Sequence, residues 1–232
     1  MNINTQDVAM MNETTKFVTG TPEGSNDPGP FTAHGVLVGM KAGAKHLFGS
    51  DSLKDKTVLI QGVGSVGAVL CELLAKEGAI LKINNRGKQK IESILKKVDA
   101  TVVSSEDLLS TKCDIFAPCA MGAVLNTENV KRLDCKIIAG AANNVCLDPA
   151  TGDALKARGI LYLPDYIVNA GGVINCGVEV SDGKFDLAVV NKMIDNIYNT
   201  TMKIISLAEK KNISTYHAAD EYALEIVAAA KK

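Results

Sequence analysis

The stretch Thr57-Val58-Leu59-Ile60-Gln61-Gly62-Val63-Gly64-Ser65-Val66-Gly67 decides the fold. Residues 57–61 form a short apolar run that ends at glycine, the pattern of a buried strand. Beyond it, Val66, Val69, Leu70, Leu73 and Leu74 recur at the helical period until Gly78 stops the helix. A G-x-G-x-x-G sequence alone is weak evidence; between a strand and a helix it predicts a dinucleotide-binding turn. Gly62 permits the tight turn, Gly64 lets main chain approach a pyrophosphate, and Gly67 lets the helix lie close on the strand. Ser65 and Val66 open that helix, whose free N–H groups and dipole favour an anion. The competing reading is a plain glycine turn in an α/β protein.

Outward from this turn, strand and helix patterns alternate. Short apolar runs at 80–83, 101–103, 114–118, 136–139 and 160–163 read as strands, and 88–98, 126–133 and 151–158 as helices. Each helical crossover returns the chain to start the next strand at the same end, so the expected fold is α/β, a doubly wound parallel sheet. Residues 1–16 read as a polar lead-in helix. Residues 20–30, GTPEGSNDPGP, hold three Gly and three Pro and read as a loop. Residues 32–48 read as a helix whose Ala33, Gly35, Gly39, Ala42, Gly43 and Ala44 suit close packing. After Asp165 the pattern is helical throughout, with one segment starting near Tyr166, a second over 186–211 and a third over 216–231. The expected division is a lead-in helix at 1–16, a dinucleotide-binding domain at 17–175 and C-terminal helices at 176–232.

Composition bounds the partners. The 232 residues carry a formal net charge of -1, which gives no electrostatic case for nucleic acid or an anionic membrane surface. No run of 18 or more apolar residues spans a membrane, and the polar N-terminus lacks a secretory pattern. The six cysteines form no C-x-x-C pair and have no histidine cluster beside them, which argues against structural zinc; they read as packed thiols of a reducing, cytoplasmic protein. At the end of the second strand stands Asn84-Asn85-Arg86, where NAD-selective sites place an acid for the ribose 2′-hydroxyl. No carboxylate there repels a 2′-phosphate, and Arg86 offers it a partner. NAD and NADP both stay open as cofactor, against a solvated arginine after a strand.

Several stretches resemble the Glu/Leu/Phe/Val amino-acid dehydrogenase family: TKFVTG (15–20), FTAHGV (31–36), FGSDSL (48–53), CDIFAPCAMGAVLN (113–126), IIAGAANN (137–144), PDYIVNAGGVIN (164–175) and STYHAADEYALE (214–225). The likeness runs from about Asp7 to the C-terminus. It implies a Rossmann domain, and reversible oxidative deamination of a branched-chain or aromatic amino acid to its 2-oxo acid and ammonia. By position it implies that Thr32 faces the nicotinamide carboxamide and that Cys119, Ala120 and Met121 pass along the nicotinamide ribose. Asn144 becomes a polar contact, Asn169 stands beside the nicotinamide and the reacting carbon, and Val173 and Cys176 line the side-chain pocket. Gly62, Asn85, Cys119 and Asn144 each follow a predicted strand, so they converge on one sheet edge. The plainer readings are packing for the Cys119 side chain and turn or cap chemistry for Asn144 and Asn169.

The family's catalytic lysine, in a glycine-rich stretch, and its aspartate belong to an N-terminal domain, and no G-G-G-K-like stretch occurs in these residues. Asp7 resembles a later acidic position, so no catalytic residue is assigned here. His34, His46 and His217 lie in predicted helices, and the sequence places no carboxylate beside any of them. The expectation is the nucleotide half of a longer dehydrogenase, homo-oligomeric in its full-length form and inactive as this chain alone. Two other readings stand beside it: a non-catalytic nucleotide-binding product, and an NADP-dependent reductase of the shikimate dehydrogenase type. PDYIVNAGGVIN argues against the reductase.

Overall fold

The computed structural model describes residues 5–15, 17–22, 24–182 and 185–230. Six strands, β1 (Thr57–Gln61), β2 (Ile80–Asn84), β3 (Ala100–Val102), β4 (Ile115–Pro118), β5 (Ile137–Ile138) and β6 (Leu161–Tyr162), form one sheet in the order β3-β2-β1-β4-β5-β6. Every pairing is parallel, with Ile60 beside Ile83 and Ala117 in the centre. The doubly wound parallel sheet expected from the alternation is therefore present. Several strands are shorter than their apolar runs. The flanking residues still bond along the ladder, as where Ala139 N–H donates to Phe116 O at 3.0 Å and Leu163 N–H to Ile138 O at 2.9 Å.

Alternation along the strands sends side chains to two cores. Val58, Ile60, Ile115, Ala117 and Ile137 face one layer, built on α2 (Gly29–Phe48), α3 (Ser65–Lys76) and α4 (Lys88–Leu95). Leu59, Phe116 and Ile138 face the other, built around Val130, Leu155 of α5 (Pro149–Ala157) and Tyr216 of α10 (Thr215–Ala230). A sheet covered on both faces explains strands that read as continuous apolar runs.

Helix α2 starts three residues before the sequence pattern placed it. Pro30 lies in its first turn, where proline's missing N–H costs nothing. Its glycines let it approach the rest closely: a Cβ on Gly39 would lie 2.4 Å from Val168, and one on Gly35 2.8 Å from Val168 O. The lead-in helix is α1 (Thr5–Thr14); residues 1–4 and Lys16 of the expected 1–16 element lie outside the described residues, as do 231 and 232 at the other end.

Three expected helices differ. The segment 126–133 holds only a 3-10 turn, Asn129–Arg132. Asn126 Oδ1 accepts from Glu128 and Asn129 N–H, and Asn129 Nδ2 donates to Val124 O, so side chains compete for the groups a helix would use. After Asp165 the first segment is two helices, α6 (Asp165–Val168) and α7 (Gly171–Asp182), and the division after residue 175 falls inside α7. The stretch 186–211 is interrupted at Asn196 into α8 (Leu187–Asp195) and α9 (Ile197–Lys211). The two halves answer to different partners: Val190 and Ile194 pack with α7, whereas Ile204 and Ala208 pack with Ala218 and Ala219 of α10.

Phe116 is 1% exposed at the centre of the second core. Phe116→Ala is expected to lower unfolding stability by about 3–5 kcal/mol, read as a shifted midpoint in urea denaturation; a shift below about 1 kcal/mol would contradict this packing.

Candidate functional site at the strand ends

Strands β1 and β4 are neighbours, and the chain leaves them in opposite directions along the sheet. A crevice opens at such a switch point, beyond the carboxyl ends of the strands. The glycine turn fills its floor. Gly62 has φ +93°, and its N–H donates to Asn84 O at 2.7 Å. A Cβ on Gly62 would lie 2.9 Å from the Ala120 Cβ, and one on Gly67 would lie 2.0 Å from Gly62 O. Both glycines are thus required by protein packing. Gly64 is different, because a Cβ there meets nothing within 4 Å and would project into open space. Gly64 caps α3 with no side-chain hydrogen bond to the helix's first N–H groups. These groups and the helix dipole face the open crevice, which is the chemistry of an anion site.

The end of β2 holds this turn in place. Asn85 Oδ1 accepts from Val63 N–H at 3.3 Å, while its Nδ2 donates to Gly87 O at 3.0 Å. The Asn84 amide is buried and donates to Val103 O at 2.9 Å. Both asparagines are spent on the scaffold, and Arg86 is the exposed group of the three.

Alongside α3 lies a cavity of about 710 Å³. Five of the residues singled out from the sequence meet on its lining: Thr32, Val66, Asn169, Val173 and Cys176. Pro28, Ala141, Asn143 and the α7 residues Gly172, Gly177 and Val180 complete it. Asn169 Nδ2 donates to Asn143 Oδ1 at 2.7 Å and to Ala141 O at 3.3 Å, so Asn143 is the polar partner at this wall. Asn144, its neighbour, has φ +53° and its carbonyl accepts from Ala123 N–H, which makes it a turn residue. Sequence reasoning named Asn144 and missed Asn143, which lines the cavity beside it. Ala120 packs over Gly62, and Met121 is 64% exposed; neither lines the cavity. The Cys119 thiol lies beneath the turn, where burial pushes it up to about 12, so it packs as an apolar group. Among the described lining residues Cys176 is the one ionisable side chain.

The structure also corrects the reading of the histidines. Each has a carboxylate within reach: Asp195 at 3.4 Å from His34, Glu209 at 3.5 Å from His46, and Asp153 at 3.4 Å from His217. None of the three lines the cavity. Sequence reasoning missed Glu179, because its partners are far along the chain. Its Oε2 accepts from Gly20 N–H at 3.3 Å, Ser25 N–H at 3.2 Å and Ser25 Oγ at 2.5 Å, tying the glycine- and proline-rich loop to α7. That loop delivers Pro28 and Thr32 to the cavity, where Thr32 Oγ1 donates back to Pro28 O at 2.9 Å.

Sheet order, glycine turn and crevice together define a Rossmann-type fold. The sequence profile of the Glutamate/Leucine/Phenylalanine/Valine dehydrogenase family matches residues 76–232, and the chain belongs to that family. It is 40% identical over 230 residues to the leucine dehydrogenase of Thermoactinomyces intermedius, covering 98% of this chain and 62% of that protein. To the leucine dehydrogenase of Geobacillus stearothermophilus it is 42% identical over 229 residues, covering 97% and 62%. The crystal structure of L-tryptophan dehydrogenase from Nostoc punctiforme superposes with a TM-score of 0.87 at 35% identity, covering 100% of this chain and 66% of that one. The chain thus spans less than two thirds of these relatives' length, and the family match sets aside the shikimate-type reading.

The glycines separate folding from ligand approach. Gly67→Ala is expected to lower the thermal midpoint by several degrees, because main chain must move from a 2.0 Å contact. Gly64→Ala is expected to leave that midpoint within about 2 °C, since its Cβ meets no protein atom. Equal midpoints for both variants would contradict the α3–β1 crossing.

Proposed function

We propose that this chain is the nucleotide-binding half of an NAD(P)-dependent dehydrogenase of branched-chain or aromatic amino acids. The observation that carries the reading is Gly64: the first turn of a 12-residue helix, with no side-chain cap among the described residues, faces space that protein atoms leave open. A pyrophosphate fits that chemistry, and the lining residues continue from Val66 towards Asn169. Gly62, Gly64, Ser65, Val66 and Gly67 would hold the phosphates, with Asn85 bracing the turn from behind. Thr32, Asn143 and Asn169 supply the polar groups at the other end, and Cys119, Ala120, Met121 and Asn144 shape the loops between. Val173 and Cys176 would meet the substrate side chain.

The reaction is the conversion of an amino acid, water and oxidised coenzyme into a 2-oxo acid, ammonium, reduced coenzyme and a proton. When bound, an oxidised nicotinamide ring accepts the hydride from Cα. The Asn143–Asn169 wall orients polar atoms, and the apolar α7 face keeps water from the side chain. Proton transfer needs a base that this cavity's described residues do not offer, so the proton carrier belongs to another domain. Helices α7 and α8 expose Val173, Val180, Leu187 and Met193, an apolar surface suited to covering by such a domain. The working division gives nucleotide binding to the sheet with its covering helices, α9 and α10 among them, and contact with the catalytic domain to the exposed faces of α7 and α8, within a homo-oligomer of the full-length protein. The free cysteines suit a reducing cytoplasm.

Arg86 deepens the cofactor reading. No acid follows β2, the two asparagines are occupied, and the guanidinium is exposed beside the uncapped start of α4. NADPH is therefore expected to bind at least as tightly as NADH. Arg86→Glu should weaken NADPH about tenfold or more while changing NADH less than about threefold. Both are measured by coenzyme fluorescence. Binding of neither coenzyme by the unaltered chain would overturn the proposal. The chain alone is expected to bind without amino-acid-dependent NAD(P)H formation, and coenzyme binding indifferent to every amino and 2-oxo acid in the full-length protein would favour a nucleotide sensor.

A further inference from the structure

Asp165 is a buried carboxylate at the junction of three segments, with 6% of its surface exposed and no lysine or arginine paired with it among the described residues. Its Oδ2 accepts from Val145 N–H at 2.7 Å and from the Tyr162 hydroxyl at 2.9 Å. The same hydroxyl accepts from Asp165 N–H at 3.3 Å, so the two residues hold each other reciprocally. Burial, with Asp165 next in effect, raises the Tyr162 hydroxyl far above the ordinary phenol range and keeps it a proton donor. Downstream, Asp165 O accepts from Asn169 N–H at 2.8 Å. One residue thus joins the loop after β5, the end of β6 and the helix that presents Asn169.

We infer that Asp165 is a positioning residue for the Asn143–Asn169 wall of the cavity. Through Val145 it fixes the loop that carries Asn143, and through α6 it fixes Asn169, whose amides then meet at 2.7 Å. A carboxylate buried without a cation is costly unless its hydrogen bonds are satisfied, so removing it frees Val145 N–H and Tyr162 at once. Asp165 itself does not line this cavity, so its effect on a ligand passes through the two asparagines.

This inference rests on the dinucleotide reading, and its test separates the two. 2′-Phospho-ADP-ribose carries the adenosine, its 2′-phosphate and the pyrophosphate but no nicotinamide, so it tests the glycine turn and Arg86 without the Asn143–Asn169 wall. In the unaltered chain, calorimetry should show it or ADP-ribose binding; failure of both sinks the dinucleotide reading whatever the variants do. Asp165→Ala should weaken NADPH about tenfold or more while leaving 2′-phospho-ADP-ribose within about twofold. Asp165→Asn, which keeps one acceptor oxygen at the junction, should recover most of the loss. Should Asp165→Ala fail to fold, Tyr162→Phe removes only the phenol from the carboxylate and should weaken NADPH alone by about threefold. Unchanged NADPH binding in a folded Asp165→Ala, or in Tyr162→Phe where the alanine variant does not fold, overturns the inference. Equal weakening of both ligands overturns it too, since that marks a general loss of structure.

Discussion

Helix α3 lies on the end of β1 because Gly67 has no side chain. A single Cβ there would stand 2.0 Å from the Gly62 carbonyl, closer than any packed carbon approaches an oxygen. Much of the rest follows from this crossing. It sets the start of α3 directly over the strand end, turns its free N–H groups to the crevice, and carries Val66 to the cavity wall. Gly62, at φ +93°, makes the sharp turn that the crossing demands. The Asn84 carbonyl and the Asn85 amide grip the turn from β2.

The other wall depends on a second set of close approaches. A Cβ on Gly171 would lie 1.9 Å from Phe31 O, and one on Gly172 would lie 2.6 Å from Thr32 Oγ1. The starts of α2 and α7 therefore touch through main chain, and Thr32 comes to lie across from Asn169. Carboxylates then anchor what helices alone leave loose. Glu179 holds the loop before α2, and Asp165 holds the loop after β5. The cavity between them offers amides, a hydroxyl and apolar surface, and one thiol as its ionisable group among the described residues. Such a lining orients a ligand through hydrogen bonds and shape, and leaves proton transfer to groups outside it.

The turn of 62–67 was legible because each glycine answers a local steric demand, and such demands are written in neighbouring residues. The sheet was legible for a related reason: apolar runs alternate with helical periods, and crossover handedness leaves few ways to assemble them. The helix expected over 126–133 failed because Asn126 and Asn129 turn their side chains onto the main chain, a competition that periodicity does not register. The long helix expected over 186–211 broke at Asn196 because its halves pack against different neighbours, and the sequence does not name neighbours. At the site, Thr32, Val66, Asn169, Val173 and Cys176 reached the cavity, and Asn143, which the sequence did not single out, lines it with them.

By itself, then, the sequence determined the strand-turn-helix unit, the parallel run of the strands and the glycines of the 62–67 turn. These depend on residues a few positions apart and on steric rules every chain obeys. Only the tertiary structure decided which asparagine faces the cavity, that each histidine has an acid beside it, and that Glu179 and Asp165 tie distant loops together. Those outcomes turn on the direction of individual side chains across gaps of many residues, and packing alone sets that direction.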